Sequence, residues 1–220
     1  MLCHSQQHLM EVDSVSKSYG GRRILSGIYL KVKTGDVCAL FGRNGTGKST
    51  LQRIIFGSLS AGYKFVCIDD QMLKTPYTHS SSISYLPDDF FIPSDLKVKK
   101  ALELYNLSID DVDEFIKSLS DKRIYSLSSG ERRYLEIYLI LRKEAHFVLL
   151  DEPFKFLSPL MITRMEQLIL SESEKKGIIV ADHRYKSVLK IANRILLVKD
   201  EALYELSDEK ELADKGYILL

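Results

Sequence analysis

The stretch GRNGTGKST, residues 42–50, constrains the fold more than any other part of the 220-residue chain. Gly42, Gly47, Lys48 and Ser49 fit G-x-x-x-x-G-K-[ST], a spacing that works between a strand and a helix. The flanks comply. DVCALF (36–41) is a short apolar run leading into glycines and reads as a buried strand. KSTLQRIIFGSL follows with Leu51, Ile54, Ile55 and Leu59 on one helical face and Gly57 as a stop. Backbone N–H groups of such a loop converge on phosphate oxygens, helped by the positive end of the helix dipole. Lys48 would neutralise the terminal phosphates, and the Ser49 hydroxyl would ligate Mg²⁺.

Further strands follow the same logic. YKFVCID (63–69) reads as a strand, HFVLLD (146–151) as a buried strand ending on an acid, and GIIVADH (177–183) as another ending on Asp-His. NRILLVKDEALYEL reads as a hairpin. Residues 70–95, with TPYTHSSS and LPDDFFIPSD, read as loop-rich. Residues 96–118 show helical spacing at Leu102, Tyr105, Leu107, Val112, Phe115 and Ile116, with Leu119 beyond, and suggest a small helical insertion. Strands alternating with helices predict an α/β core with a mainly parallel sheet. Ligands of such sheets sit beyond the carboxyl ends of the strands. The glycine loop, Asp151 and His183 all fall at such ends. Asp151 can hold Mg²⁺, directly or through water, and Glu152 beside it can accept a proton from an attacking water.

Composition narrows the classes. Apolar residues make up 45 %, enough for a sizeable core, but no run approaches the roughly eighteen apolar residues a membrane span needs. MLCHSQQHLM has neither a basic start nor an apolar block, so no secretion signal is expected and the chain reads as cytoplasmic. Any membrane contact should come through a partner. A net charge of +1 gives no field to draw nucleic acid, and KVKK (97–100) reads as a solvated helix end. Cys3, Cys38 and Cys67 match no metal spacing and read as reduced, structural thiols.

Together these strings resemble an ATP-binding cassette (ABC) ATPase over nearly the whole chain. GRNGTGKST is similar to the family's Walker A loop and FVLLDEP to its Walker B strand with the catalytic Glu. LSSGE (127–131) is similar to the signature usually written LSGGQ, VADH to the segment with the switch histidine, and VSKSYGGRRIL to the N-terminal lead. The resemblance implies a P-loop NTPase core of mainly parallel sheet flanked by helices, an N-terminal antiparallel β region and a small helical insertion. It implies one domain over 1–220, with 1–87 and 146–220 as nucleotide-binding core and about 88–145 as the helical part with the signature. ATP would be held by Tyr19, Gly42, Asn44, Gly45, Thr46, Gly47, Lys48, Ser49 and Thr50, with Tyr19 stacking on adenine. Glu152, His183 and Lys48 would be catalytic, and Ser49, Asp151 and Asp88 would face Mg²⁺. Two cassettes would meet head to tail, as homodimer or heterodimer, so that Ser128, Ser129, Gly130 and Glu131 close over the partner's ATP.

Three departures from the family pattern matter. Asp88 stands where Gln is usual after the YLP-like strand; either the register shifts by one to Asp89 or Mg²⁺ coordination is altered. KFLS replaces S-G-L-D after Glu152 and its Pro-Phe, so Ser158 takes the Asp position. Ser129 replaces a Gly of the signature. These departures suggest slower or differently coupled hydrolysis. The expected role is the ATPase subunit of a membrane transporter with a separate permease, of the lipopolysaccharide-export or branched-chain amino-acid type. The alternatives are a soluble Fe–S assembly ATPase or a low-turnover regulatory cassette. Phe90, Phe91, Ile92 and Leu96 lie where a permease helix would dock, or else pack the insertion onto the sheet.

Overall fold

β1 (Leu9–Tyr19) and β2 (Arg22–Lys33) bury one face and expose the other over much of their length, the pattern of antiparallel strands with one solvated side. They pair antiparallel, and Gly20 and Gly21, both at positive φ, make the turn between them. β3 (Val37–Phe41), fully buried, leaves them for a second sheet. β4 (Tyr63–Ile68) and the short β5 (Gln71–Met72) complete the first sheet in the order β2-β1-β4-β5. These are features of a computed structural model that describes residues 7–73 and 81–218. Cys3 and most of TPYTHSSS lie outside the described residues.

The second sheet adds β6 (Ile83–Leu86), β7 (Phe147–Asp151), β8 (Gly177–Ala181), β9 (Arg194–Lys199) and β10 (Ala202–Leu206), in the order β10-β9-β3-β8-β7-β6. All its pairings are parallel except the β9–β10 hairpin. β3, β7 and β8 are buried throughout because both faces are covered. Alternate residues therefore enter different cores. Cys38, Leu40, Leu149 and Ile179 pack with β1, β2 and α1 (Lys48–Phe56). Val37, Ala39, Leu150 and Val180 pack with the helical side.

α1 ends at Gly57, in the left-handed region as its stop position requires. Leu51, Ile54 and Ile55 are fully buried, whereas Leu59 lies past the helix and packs on the same core from outside it. The helical stretch at 96–118 is not one helix. It breaks into α2 (Val98–Leu104), a 3₁₀ turn at Ile109–Asp111 and α3 (Glu114–Leu119). α2 ends where Asn106 takes a φ of +57°, and Ser108 and Asp113 each accept a backbone N–H as the cap of the element that follows. The stretch 70–95 is likewise not only loop, since β5 and β6 lie in it. β6 is a four-residue edge strand, too short to show a period.

α4 (Ser129–Arg142), α5 (Pro159–Ser173), α6 (Tyr185–Ile191) and α7 (Glu209–Asp214) complete the chain. At the end of the molecule where β1 and β7 begin, the His8 ring stacks on His146 with centroids 3.6 Å apart. His8 Nδ1 lies 2.6 Å from Asp69 Oδ2. Among the described residues no helix is long and apolar enough to cross a membrane.

Candidate functional site

The carboxyl ends of β3, β8 and β7, adjacent in the sheet, bring the glycine loop, His183 and Asp151–Glu152 together. Two of the loop glycines are dictated by space as well as by angle. A Cβ on Gly42 (φ +152°) would sit 2.5 Å from Thr46 Oγ1 and 2.7 Å from the Val198 carbonyl. On Gly47 (φ +109°) it would sit 2.9 Å from both Ile24 and Leu25. Lys48 is buried, and its Nζ donates to the Gly42 carbonyl at 2.7 Å. Burial pulls its pKa down, while Glu152 and Asp151 pull the other way.

Ser49 Oγ donates to Asp151 Oδ1 at 3.0 Å, and Tyr85 OH donates to Asp151 Oδ2 at 3.2 Å. Burial raises the Asp151 pKa against those two bonds. Glu152 has φ +51°, a conformation rare for a side chain of its size. Its Oε1 lies 3.1 Å from His183 Nε2, and its Oε2 is 3.4 Å from the His183 backbone N–H. Burial pushes its carboxyl up to about 7, with neighbouring Asp182 adding to the effect. Such a group sits near the pKa a general base needs at neutral pH.

These groups open on one cavity of about 680 Å³. Tyr19, Asn44, Gly45, Gly47, Lys48, Ser49, Thr50, Asp88, Glu152 and His183 line it, together with Ile24 and Lys155, which the sequence did not single out. Gly42, Thr46 and Asp151 do not line it; the Thr46 hydroxyl donates to the Arg43 carbonyl. Tyr19 is 47 % exposed, with Lys17 Nζ 4.9 Å above its ring. Asp88 Oδ1 accepts from Lys155 Nζ at 2.6 Å, so its charge is already partnered.

The donor set fits Mg²⁺. A hydroxyl and a carboxylate are hard oxygen ligands, and Mg²⁺ usually takes one or two such groups plus substrate phosphates. Among the described residues no cluster of three or more His, Cys, Asp or Glu could hold a metal by itself.

None of Ser128, Ser129, Gly130 or Glu131 lines this cavity. Instead Ser128 and Glu131 form a capping box at the start of α4, with Glu131 N–H to Ser128 Oγ at 3.2 Å and Ser128 N–H to Glu131 Oε2 at 2.7 Å. The Ser128 hydroxyl accepts there and keeps its own proton to donate. Gly130 has a local reason to lack a side chain, because a Cβ would sit 2.9 Å from the Phe156 carbonyl. Ser158 caps α5, accepting from Met161 N–H at 3.4 Å. Ile92 is buried, and Phe91 and Leu96 are partly buried against the core. These side chains pack the insertion onto the sheet.

Sequence reasoning missed Arg133, which is fully buried one turn into α4. Its guanidinium donates to the carbonyls of Pro87 (2.7 Å), Asp151 (2.6 Å) and Glu152 (2.9 Å). Buried Glu136, one turn on, accepts the N–H groups of Phe91 and Ile92. The signal was a charged pair, Arg133 and Glu136, on the face of α4 that also carries Leu-rich core positions.

Comparison with known proteins gives a concordant picture. Residues 25–155 match the family described as ABC transporter. The lipopolysaccharide export system ATP-binding protein LptB of Escherichia coli K12 is 30 % identical, over 93 % of this chain and 92 % of that protein. The ribose import ATP-binding protein RbsA of Lacticaseibacillus paracasei is 27 % identical over 87 % of this chain, which spans only 42 % of it. A solved ATP-binding subunit of an ABC transporter superposes with a TM-score of 0.81 at 20 % identity, covering 95 % of this chain and 94 % of the other.

Proposed function

This chain belongs to the ABC transporter family, and from that premise we propose that it binds and hydrolyses ATP to drive a membrane transporter through closure of a cassette dimer. It is the ATP-binding component of such a system. The relatives carry different cargo in their names, lipopolysaccharide for export and ribose for import, so the role they share is the ATP-binding one. The observation that carries the hydrolytic reading is the meeting of Lys48, Ser49, Glu152 and His183 around one cavity.

The residues divide the work. Backbone N–H groups of 44–50 and the Lys48 ammonium receive the phosphates, and Tyr19 offers its exposed face to the adenine ring. Mg²⁺, held by Ser49 and Asp151 when bound, supplies neutralising charge at the phosphates. Glu152 takes a proton from the attacking water through its carboxylate. His183 Nε2, 3.1 Å from Glu152 Oε1, fixes the direction of that carboxylate. The serine turn at 128–130 contacts the ATP of a second cassette. A separate permease holds the pair at the cytoplasmic face of the membrane.

Glu152→Gln tests this. The variant keeps the shape and loses the base. It is expected to bind ATP, lose about 10²–10⁴-fold in turnover, and accumulate as an ATP-dependent dimer in size-exclusion chromatography with light scattering. Wild-type turnover by the variant would refute the assignment.

A further inference from the structure

Asp88 and Lys155 stand at positions where this chain leaves the family pattern, and they touch each other. Lys155 Nζ donates to Asp88 Oδ1 at 2.6 Å, and both side chains line the cavity that holds Lys48 and Glu152. Their loops follow the paired strands β6 and β7. A second contact ties the same loops, since the Phe90 and Phe156 rings stack with centroids 5.6 Å apart. The family pattern puts Ser and Gly at 155 and 156, and neither could make these contacts. Phe156 keeps a φ of +68°, an angle glycine would take without cost.

The pair is built to exchange. Its side chains are 40 % and 42 % exposed, and solvated ion pairs hold weakly. Lys155 is a cation on the wall of a cavity lined by a phosphate loop. The terminal phosphate of a nucleoside triphosphate carries more negative charge than one carboxylate and offers several acceptor oxygens. A nucleoside diphosphate lacks that group.

We propose that Lys155 is a second phosphate-contacting lysine, partnered by Asp88 until ATP binds and then transferred to the terminal phosphate, so that the pair sets the preference for ATP over ADP. This rests on the ATP-binding reading above. Lys155 and Asp88 explain each other under it. The carboxylate holds the ammonium extended over the cavity and releases it to a stronger anion.

The test is isothermal titration calorimetry of the full chain with ATPγS and with ADP. Lys155→Met is expected to weaken ATPγS binding about tenfold and to leave ADP within about twofold. Asp88→Asn removes the competing negative charge and is expected to tighten ATPγS binding several-fold while leaving ADP unchanged. Lys155→Arg, which keeps the charge, should restore most of the ATPγS affinity. Both side chains are partly exposed, so unfolding midpoints should stay near wild type. An equal loss for both nucleotides, or no change for either while the wild type binds, overturns the proposal alone. A wild-type chain that binds neither nucleotide overturns the ATP-binding reading with it.

Discussion

Arg133→Met removes a fully buried guanidinium while keeping an unbranched side chain of comparable reach. Three carbonyls lose the guanidinium: Pro87 after β6, and Asp151 and Glu152 at the end of β7, of which Glu152 keeps the Lys155 backbone N–H at 3.3 Å. Hydrogen bonds from a charged donor contribute about 1.5–3 kcal/mol each. They do not add here, because Asp151 and Glu152 share one nitrogen. Glu136, also fully buried, has its Oε2 3.8 Å from the guanidinium and would keep only Arg132 as a cationic neighbour. Removing one member of a buried charge pair costs about 3–5 kcal/mol, and that figure is the expected loss. Against a typical total of roughly 5–15 kcal/mol it is a large fraction. Equilibrium urea unfolding reads it as a fall in midpoint at constant slope. A second substitution, Glu136→Gln, should recover part of the loss by removing the stranded carboxylate. Turnover should also drop, since the strained backbone of Glu152 loses its anchor. A loss below about 1 kcal/mol would refute the reasoning, because water or a rotated neighbour would then satisfy the carbonyls unaided.

Three further outcomes follow from the site. Burial pushes the Glu152 carboxyl up to about 7, so its basic form appears as pH rises through neutrality and turnover should climb between about pH 6 and 8. The linked effect on stability has the opposite sign. The raised pKa favours the folded state at low pH and that advantage is lost between pH 4.5 and about 7, so Glu152→Gln should gain stability relative to wild type over that interval, and not above it, in urea titrations. Tyr19→Ala should cost ~1–3 kcal/mol of nucleotide affinity in calorimetric titrations, and an unchanged affinity would remove Tyr19 from the adenine site. Gly130→Ala should destabilise the isolated chain by about 1–3 kcal/mol in thermal unfolding, because the new Cβ would press on the Phe156 carbonyl.

The parts of the molecule that show in the sequence are those whose physics is local. The glycine loop announces itself because a backbone that cradles phosphate needs glycines at fixed steps between a strand and a helix. β3, β7 and β8 show as apolar runs because both their faces are covered. β6 shows only through the resemblance at YLP, because four residues at an edge carry no period of their own. The stretch at 96–118 keeps helical spacing across its breaks, so the spacing hides Ser108 and Asp113 in their role as caps. Arg133 and the Asp88–Lys155 pair are illegible for another reason. Their partners lie 18 to 67 residues away in sequence, and only the folded chain brings them together.

The stacked His8 and His146 rings lie far from the cavity along the chain, yet they bear on it. β1 runs from beside His8 to Tyr19, about 35 Å if extended. It is a spar fastened at its foot by the imidazole pair and Asp69, carrying the aromatic platform at its tip. Burial and the neighbouring His8 both lower the pKa of His146, so burial favours its neutral ring in the stack. Tyr19 is thus steadied from the opposite end of its strand.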